Sequence, residues 1–299
     1  MDRLSFWLKE IRAPFLSLSL VLIFLGTSIA FAEGVFHPWR ALLALIGLAA
    51  LHISVNVLNE YSDFQKTGID LYTSPTPFSG GSGMLVAGNI APAQAHAVGI
   101  GFLALGAGIG LFFLWLTNLW LLPLLLMGGF AVYFYTDFLA RYALGEVFAG
   151  LGLGTLPVLG ASFVQTEHYS MQAVAGAIPA GILTFNLLLI NEFPDLEADT
   201  LGGRKNLLIA FGPLTGGRIY SVLLVFMYVW IAVAALAGFM PVYCLAGVAT
   251  VAVAWKPMKW AWTGGADKDG TVPALGSNVV TNLATQTLLG VGFIAGTYW

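Results

Sequence analysis

The sequence predicts an all-α, polytopic membrane protein with nine transmembrane helices. Three observations carry that prediction. Of 299 residues, 58% are hydrophobic and 9% charged, against roughly 25% charged in soluble domains. Nine apolar runs approach the length that spans a bilayer, about 17–25 residues. Basic residues fall almost entirely on one side of those runs, as orientation by loop charge requires.

Taken in order, the runs are 15–32, 41–57, 95–114, 119–135, 144–164, 173–190, 219–237, 241–255 and 283–298. None alternates as a strand would, and hydrocarbon leaves backbone groups no water to bond, so each is read as a helix. The first follows Arg3, Lys9 and Arg12 and ends in Ala30-Phe31-Ala32, which resembles a signal-peptidase site. It is long for a signal core and adequate for a span, so we read it as one. The second and sixth run directly into polar, acidic segments, whereas the loops on the opposite side are short. The 36 glycines suit helices packed closely in lipid. Residues 1–299 are read as one integral membrane domain.

Nine spans put the N-terminus and the loops at 58–94, 136–143, 191–218 and 256–282 on one side. Of the 12 Lys and Arg, only Arg40 lies opposite. This asymmetry places the N-terminus and those loops in the cytoplasm and Trp299 outside. Tryptophans 7, 39, 115, 120, 255, 260, 262 and 299 fall near span ends and read as interfacial anchors. A net charge of -3 gives no basic footprint, so no nucleic acid is expected as a partner. The lone Cys244 excludes an intramolecular disulfide and a cysteine metal site.

The outer loops hold little chemistry, whereas the inner side concentrates it. The second span leads into Asn56-Val57-Leu58-Asn59-Glu60-Tyr61-Ser62-Asp63, then Lys66, Gly68 and Asp70. The sixth leads into Asn191-Glu192-Phe193-Pro194-Asp195, then Asp199 and Arg204-Lys205. Both segments contain Asn-Glu-aromatic-x-Asp. Helical spacing puts Asn56, Asn59 and Asp63 on one face, and Asn191, Asp195 and Asp199 on another. Facing carboxylate strips repel unless a cation lies between them. Oxygen ligands suit Mg2+, which is commonly held by one or two carboxylates plus substrate phosphates. Lys66, Arg204 and Lys205 supply donors to such phosphates. The alternative is a pair of acidic helix ends solvated at the membrane surface.

These blocks, with Pro77-Phe78-Ser79-Gly80-Gly81-Ser82-Gly83 and with Tyr135-Thr136 through Leu144-Gly145-Glu146, resemble the UbiA superfamily of intramembrane prenyltransferases. Within it the sequence is most similar to the MenA type, which prenylates 1,4-dihydroxy-2-naphthoate. Glu60 stands where that family commonly has an Asn-Asp pair, and the Tyr-Asp-x-x-Tyr-Ala pattern of 4-hydroxybenzoate enzymes is absent.

The resemblance implies nine helices around a central cavity open to the cytoplasm, in the inner membrane of a prokaryote. It implies transfer from a polyprenyl diphosphate to an aromatic acceptor, with lipid around the prenyl chain. Mg2+ would bridge the diphosphate to Asp63 and Asp195, with Asn59, Asp70, Asn191 and Asp199 as direct or water-mediated partners. Lys66, Arg141, Arg204 and Lys205 would neutralise the leaving diphosphate. Arg12 is read either as an acceptor or diphosphate ligand or as an inside-positive anchor. His52 is read as an acceptor contact or a core histidine; Tyr61 and Glu146 as positioning, proton-accepting or packing groups. The backbone of 79–83 could also meet phosphate. Two other readings stand beside this one: a related transferase acting on another aromatic or lipid acceptor, and an ion- or proton-coupled transporter built on repeats.

Overall fold

A computed structural model of the chain describes residues 3–134, 138–139 and 142–298, and every regular element among them is helical. A short helix α1 (Arg3–Glu10) precedes a 3-10 turn (Ala13–Leu16) and α2 (Ser17–Ala32). Next come α3 (Pro38–Ser62), α4 (Pro92–Leu116), α5 (Leu122–Phe134), α6 (Gly145–Gly150) and α7 (Leu156–Thr166). The remainder is α8 (Met171–Leu201), α9 (Leu207–Phe211), α10 (Pro213–Leu236), α11 (Val251–Trp262) and α12 (Thr271–Ala295). Six described helical segments are long and apolar enough to cross a membrane: Ala13–Ala32, Pro38–Thr67, Pro92–Leu116, Gly145–Thr166, Met171–Leu201 and Pro213–Leu236. The chain is an integral membrane protein. Large apolar side chains on the outer faces, such as Trp115 and Leu236, are exposed as lipid contact requires.

The core lies among α2, α8, α10 and α12, where Leu22, Leu189, Tyr220, Leu224 and Phe293 are fully enclosed. A second cluster joins α3 to α4 and the segment before it through Val57, Leu85 and Ala95. The helices approach closely at glycine. At Gly154 an added Cβ would lie 2.6 Å from the carbonyl oxygen of Ala180 and 2.8 Å from Cα of Gly181. This contact coincides with a π-turn (Leu151–Thr155) that separates α6 from α7 and leaves Leu153 with non-helical angles.

Several boundaries differ from the sequence expectation. The region 256–282, expected as a loop, contains the end of α11 and the first half of α12; only a short turn separates them. That half of α12 is polar, yet Asn278, Thr281 and Asn282 are buried, as are Thr285 and Gln286 in the turn that follows. Two of them find partners on neighbouring elements, the Tyr220 hydroxyl donating to Asn278 at 2.7 Å and Thr285 meeting Thr250 at 2.7 Å, while Gln286 Nε2 donates to Asn282 Oδ1 at 2.6 Å within the helix. Polar groups packed on other helices need no apolar character of their own, so the apolar run understates the helix. Pro194 lies inside an uninterrupted α8. Trp260, expected at the interface, is buried instead, donating to the Asp267 carbonyl at 2.7 Å and packing on Phe193.

Candidate active site

One large pocket runs from an apolar floor beside Leu48, Ala131 and Leu187 to a polar end formed by α3, α8 and the turns after them. The polar end exists because α3 does not stop where its apolar run stops. It continues through Ser62 and passes into a π-helical turn, Asp63–Thr67, ended by Gly68 at positive φ. Asn59 and Asp63 are therefore helix residues four apart, and Asn59 Nδ2 donates to Asp63 Oδ2 at 3.0 Å. Likewise α8 extends to Leu201, which carries Asn191, Asp195 and Asp199 on successive turns into the same pocket.

Arg204 joins the two motifs. Its Nη2 donates to Asp63 Oδ1 at 2.6 Å and Oδ2 at 2.7 Å, and to Asn59 Oδ1 at 3.0 Å; Nη1 lies 3.4 Å from Asp199 Oδ1. Asn206 donates from Nδ2 to Asp199 Oδ2 at 2.9 Å while its own Oδ1 caps α9 at Ile209 N–H. Glu146 accepts from Leu207 N–H at 2.6 Å, tying the start of α6 to the same turn.

The segment after α3 closes the site from the other side. Gly80 and Gly81 both adopt positive φ, a conformation that side chains disfavour. There Gly80 N–H donates to Asp195 Oδ2 at 3.1 Å and Ser82 N–H to Glu60 Oε2 at 2.8 Å. Those two backbone donors serve the protein's own carboxylates, Asp195 and Glu60. The Ser82 hydroxyl lies 2.5 Å from Glu60 Oε1 and 2.8 Å from Glu10 Oε2, and accepts from Met84 N–H at 3.0 Å. One hydroxyl proton cannot serve both acids at once. Burial, then the charge of Glu60, pushes Glu10 up to about 8. Asp70, off the end of α3, is also pushed up to about 8, by burial first and then by Asp63 and Glu60.

The lining holds seven carboxyl groups, Glu60, Asp63, Asp70, Glu146, Glu192, Asp195 and Asp199, against three cations, Arg12, Arg204 and Lys205. Such an excess calls for bound cations or protons. Several buried oxygens face no donor: Asp70 Oδ2, Asn191 Oδ1 and Asp195 Oδ1 among them. Hard oxygen donors without partners fit Mg2+. Among the described residues no three acidic, histidine or cysteine side chains converge tightly enough to hold a metal unaided. The residues present thus fit a metal whose remaining ligands come from water and substrate phosphate.

The other sequence candidates divide. Arg12, His52 and Lys205 line the pocket. Arg12 adopts a left-handed backbone conformation after α1, with its guanidinium over the Phe15 ring at 5.7 Å. His52 Nδ1 lies 2.9 Å from the Ser19 hydroxyl, joining α3 to α2. Asn56 also lines the pocket, but its amide donates to the Ile11 carbonyl at 3.0 Å and so secures the segment carrying Arg12. Tyr61 turns away and stacks against His96, with ring centroids 4.9 Å apart. Lys66 is exposed on the turn after α3, away from the lining. Arg141 lies outside the described residues. Sequence reasoning passed over Asn206 and Glu10. The former had a legible signal, an asparagine directly before an apolar helical run; the latter, in an amphipathic leader, had none.

Comparison with known proteins is consistent with this geometry. Residues 19–274 match the model of the UbiA prenyltransferase family. The chain is 29% identical over 223 residues to 1,4-dihydroxy-2-naphthoate octaprenyltransferase of Bacillus subtilis, covering 74% of this chain and 70% of that protein. It is 31% identical over 218 residues to UbiA prenyltransferase domain-containing protein 1 of Gallus gallus, covering 71% and 63% respectively. Among solved structures, a digeranylgeranylglyceryl phosphate synthase superposes with TM-score 0.69 at 18% identity, over 99% of this chain and 100% of that one. A UbiA homologue from Archaeoglobus fulgidus bound to DMAPP and Mg2+ superposes with TM-score 0.63 at 16% identity, over 98% and 97%. The fold is shared with both, and the chain belongs to the UbiA prenyltransferase family, which makes it a transferase.

Proposed function

We propose that the chain transfers a polyprenyl group from an allylic polyprenyl diphosphate to an aromatic acceptor in a Mg2+-dependent reaction, with 1,4-dihydroxy-2-naphthoate as the first acceptor to test. One observation carries the reading: two acidic helix ends and three cations gather at the mouth of an apolar pocket. Mg2+, when bound, supplies positive charge to the diphosphate. Asp63, Asp195 and Asp199 would hold it, with Asn59, Asp70 and Asn191 as direct or water-mediated partners. Arg12, Arg204 and Lys205 stabilise the charge that grows on the leaving diphosphate as its C–O bond breaks. The apolar floor accommodates the prenyl chain and keeps water from the allylic cation; the electron-rich ring then attacks that cation, and with 1,4-dihydroxy-2-naphthoate the ring carbon attacked gives up its carboxylate as carbon dioxide. Similarity to naphthoate prenyltransferases of Bacillus subtilis and Escherichia coli supports the acceptor. Similarity in fold to a digeranylgeranylglyceryl phosphate synthase favours a second reading, a lipid acceptor.

The reading extends to the whole chain: nine spans in one domain, with N-terminus and site cytoplasmic. Beyond the six long apolar helices, α5, α11 with the 3-10 segment before it, and α12 supply the other three. The decisive experiment supplies purified protein with Mg2+, geranylgeranyl diphosphate and either 1,4-dihydroxy-2-naphthoate or glycerol-based lipid acceptors. Prenylated naphthoquinol with release of diphosphate, abolished by EDTA, is expected. Product only with the lipid acceptors would move the chain to the second reading.

A further inference from the structure

The arginine that joins the acidic motifs sits on the oxygens a metal would use. Nη2 of Arg204 contacts both carboxylate oxygens of Asp63 and the amide oxygen of Asn59, while Nη1 reaches Asp199. Asn59, Asp63 and Asp199 are three of the residues assigned above to Mg2+. The rest of that set is arranged differently. Asp195 Oδ1 and Asp70 Oδ2 are buried and have no hydrogen-bond partner. The site is thus divided between oxygens already satisfied by a guanidinium and oxygens that await a cation.

We infer that Arg204 holds the metal's place, neutralising Asp63 and Asp199 until a diphosphate arrives to receive its guanidinium, so that Mg2+ and diphosphate load together. This rests on the diphosphate reading given above. Magnesium alone would have to displace the short, charge-assisted contact of Nη2 with Asp63 and so take from a partly buried Arg204 its principal counter-charge, a costly arrangement. A diphosphate removes that cost, because its oxygens suit the same planar donor. The side chain then passes from carboxylate to phosphate while the metal takes the carboxylates. Such coupling is reciprocal: the diphosphate raises affinity for metal by the factor by which the metal raises affinity for diphosphate. It also keeps two acidic helix ends from repelling one another when no metal is present.

The test measures metal binding rather than turnover. Full-length protein in nanodiscs is titrated calorimetrically with Mg2+, with and without inorganic pyrophosphate, alongside Arg204→Gln. Wild type should bind Mg2+ at least about tenfold more tightly with pyrophosphate than without it, a difference of about 1.4 kcal/mol. Arg204→Gln should bind Mg2+ alone about tenfold more tightly than wild type does, and should lose most of the pyrophosphate effect. Arg204→Lys, which keeps the charge without the fork, should fall between them and serves if the glutamine variant does not fold. Equal affinity for Mg2+ alone in wild type and both variants would overturn the placeholder role while leaving the diphosphate reading intact. Failure of wild type to bind pyrophosphate with Mg2+ at all would overturn both.

Discussion

Asp63 and Asp195 hold equivalent places in the two motifs but stand in different surroundings. Both oxygens of Asp63 are engaged by Arg204, whereas Asp195 uses one oxygen for Gly80 N–H and leaves the other without a donor. Their loss should therefore separate stability from activity. Asp195→Asn retains an oxygen for Gly80, so its stability should stay within about 0.5 kcal/mol of wild type. Asp63→Asn leaves Arg204 without its principal counter-charge and should cost about 3 kcal/mol in reversible unfolding. Both should lower prenyl transfer by about 100-fold or more, since each removes negative charge that positions the metal. Wild-type turnover in either variant would remove that residue from the site. Glu10 yields a pH prediction. Its folded value of about 8 lies above the ordinary 4.5, so between those values the folded state alone keeps the proton. Stability should fall as pH rises through that window, with the loss complete above it. Glu10→Gln cannot ionise and still reaches Ser82, so its melting temperature should vary less between pH 5 and about 9 than that of wild type. Asp70 titrates in the same direction, so the flattening should be partial.

At the scale of the element, α3 and α8 matter because they outlast their apolar runs. Residues 41–57 and 173–190 read as spans, and the polar continuations kept helical spacing, so the faces bearing Asn59, Asp63, Asp195 and Asp199 were legible in the sequence. The direction of Tyr61 was not, because spacing alone does not say which face of a helix end meets a neighbour. Nor was the first half of α12, whose buried Asn278 and Asn282 look like loop residues until the Tyr220 hydroxyl is found opposite. The glycine-rich interruption between α6 and α7 belongs to this scale too. Backbone atoms of Ala180 and Gly181 fill the space a side chain at 154 would need, and backbone cannot rotate away. Gly154→Val should force α8 outward and destabilise the protein by about 1–3 kcal/mol, seen as a lower melting temperature in detergent. An unchanged melting temperature would mean that the π-turn can relax independently of α8.

Across the whole molecule, Arg40, the one basic residue that the proposed topology sets apart from the other eleven, has its own structural reason. Arg40 donates to the Val164 carbonyl at 2.9 Å and pairs with Glu167 at 3.0 Å, fastening the start of α3 to the end of α7. Its charge is engaged locally, so it does not weaken the orientation proposed from the other eleven. That orientation, with nine spans, makes a direct prediction for intact cells. With Cys244→Ser as background, single cysteines are introduced as Gln65→Cys, His168→Cys, Asp269→Cys and Thr297→Cys, all at exposed positions. A membrane-impermeant maleimide added outside should label His168→Cys and Thr297→Cys, and should reach Gln65→Cys and Asp269→Cys only after permeabilisation. An odd number of crossings is what separates the residue at 297 from the N-terminal side. If Thr297→Cys and Gln65→Cys respond alike, the count of nine is wrong; if all four respond in reverse, the count stands but the candidate site faces the exterior.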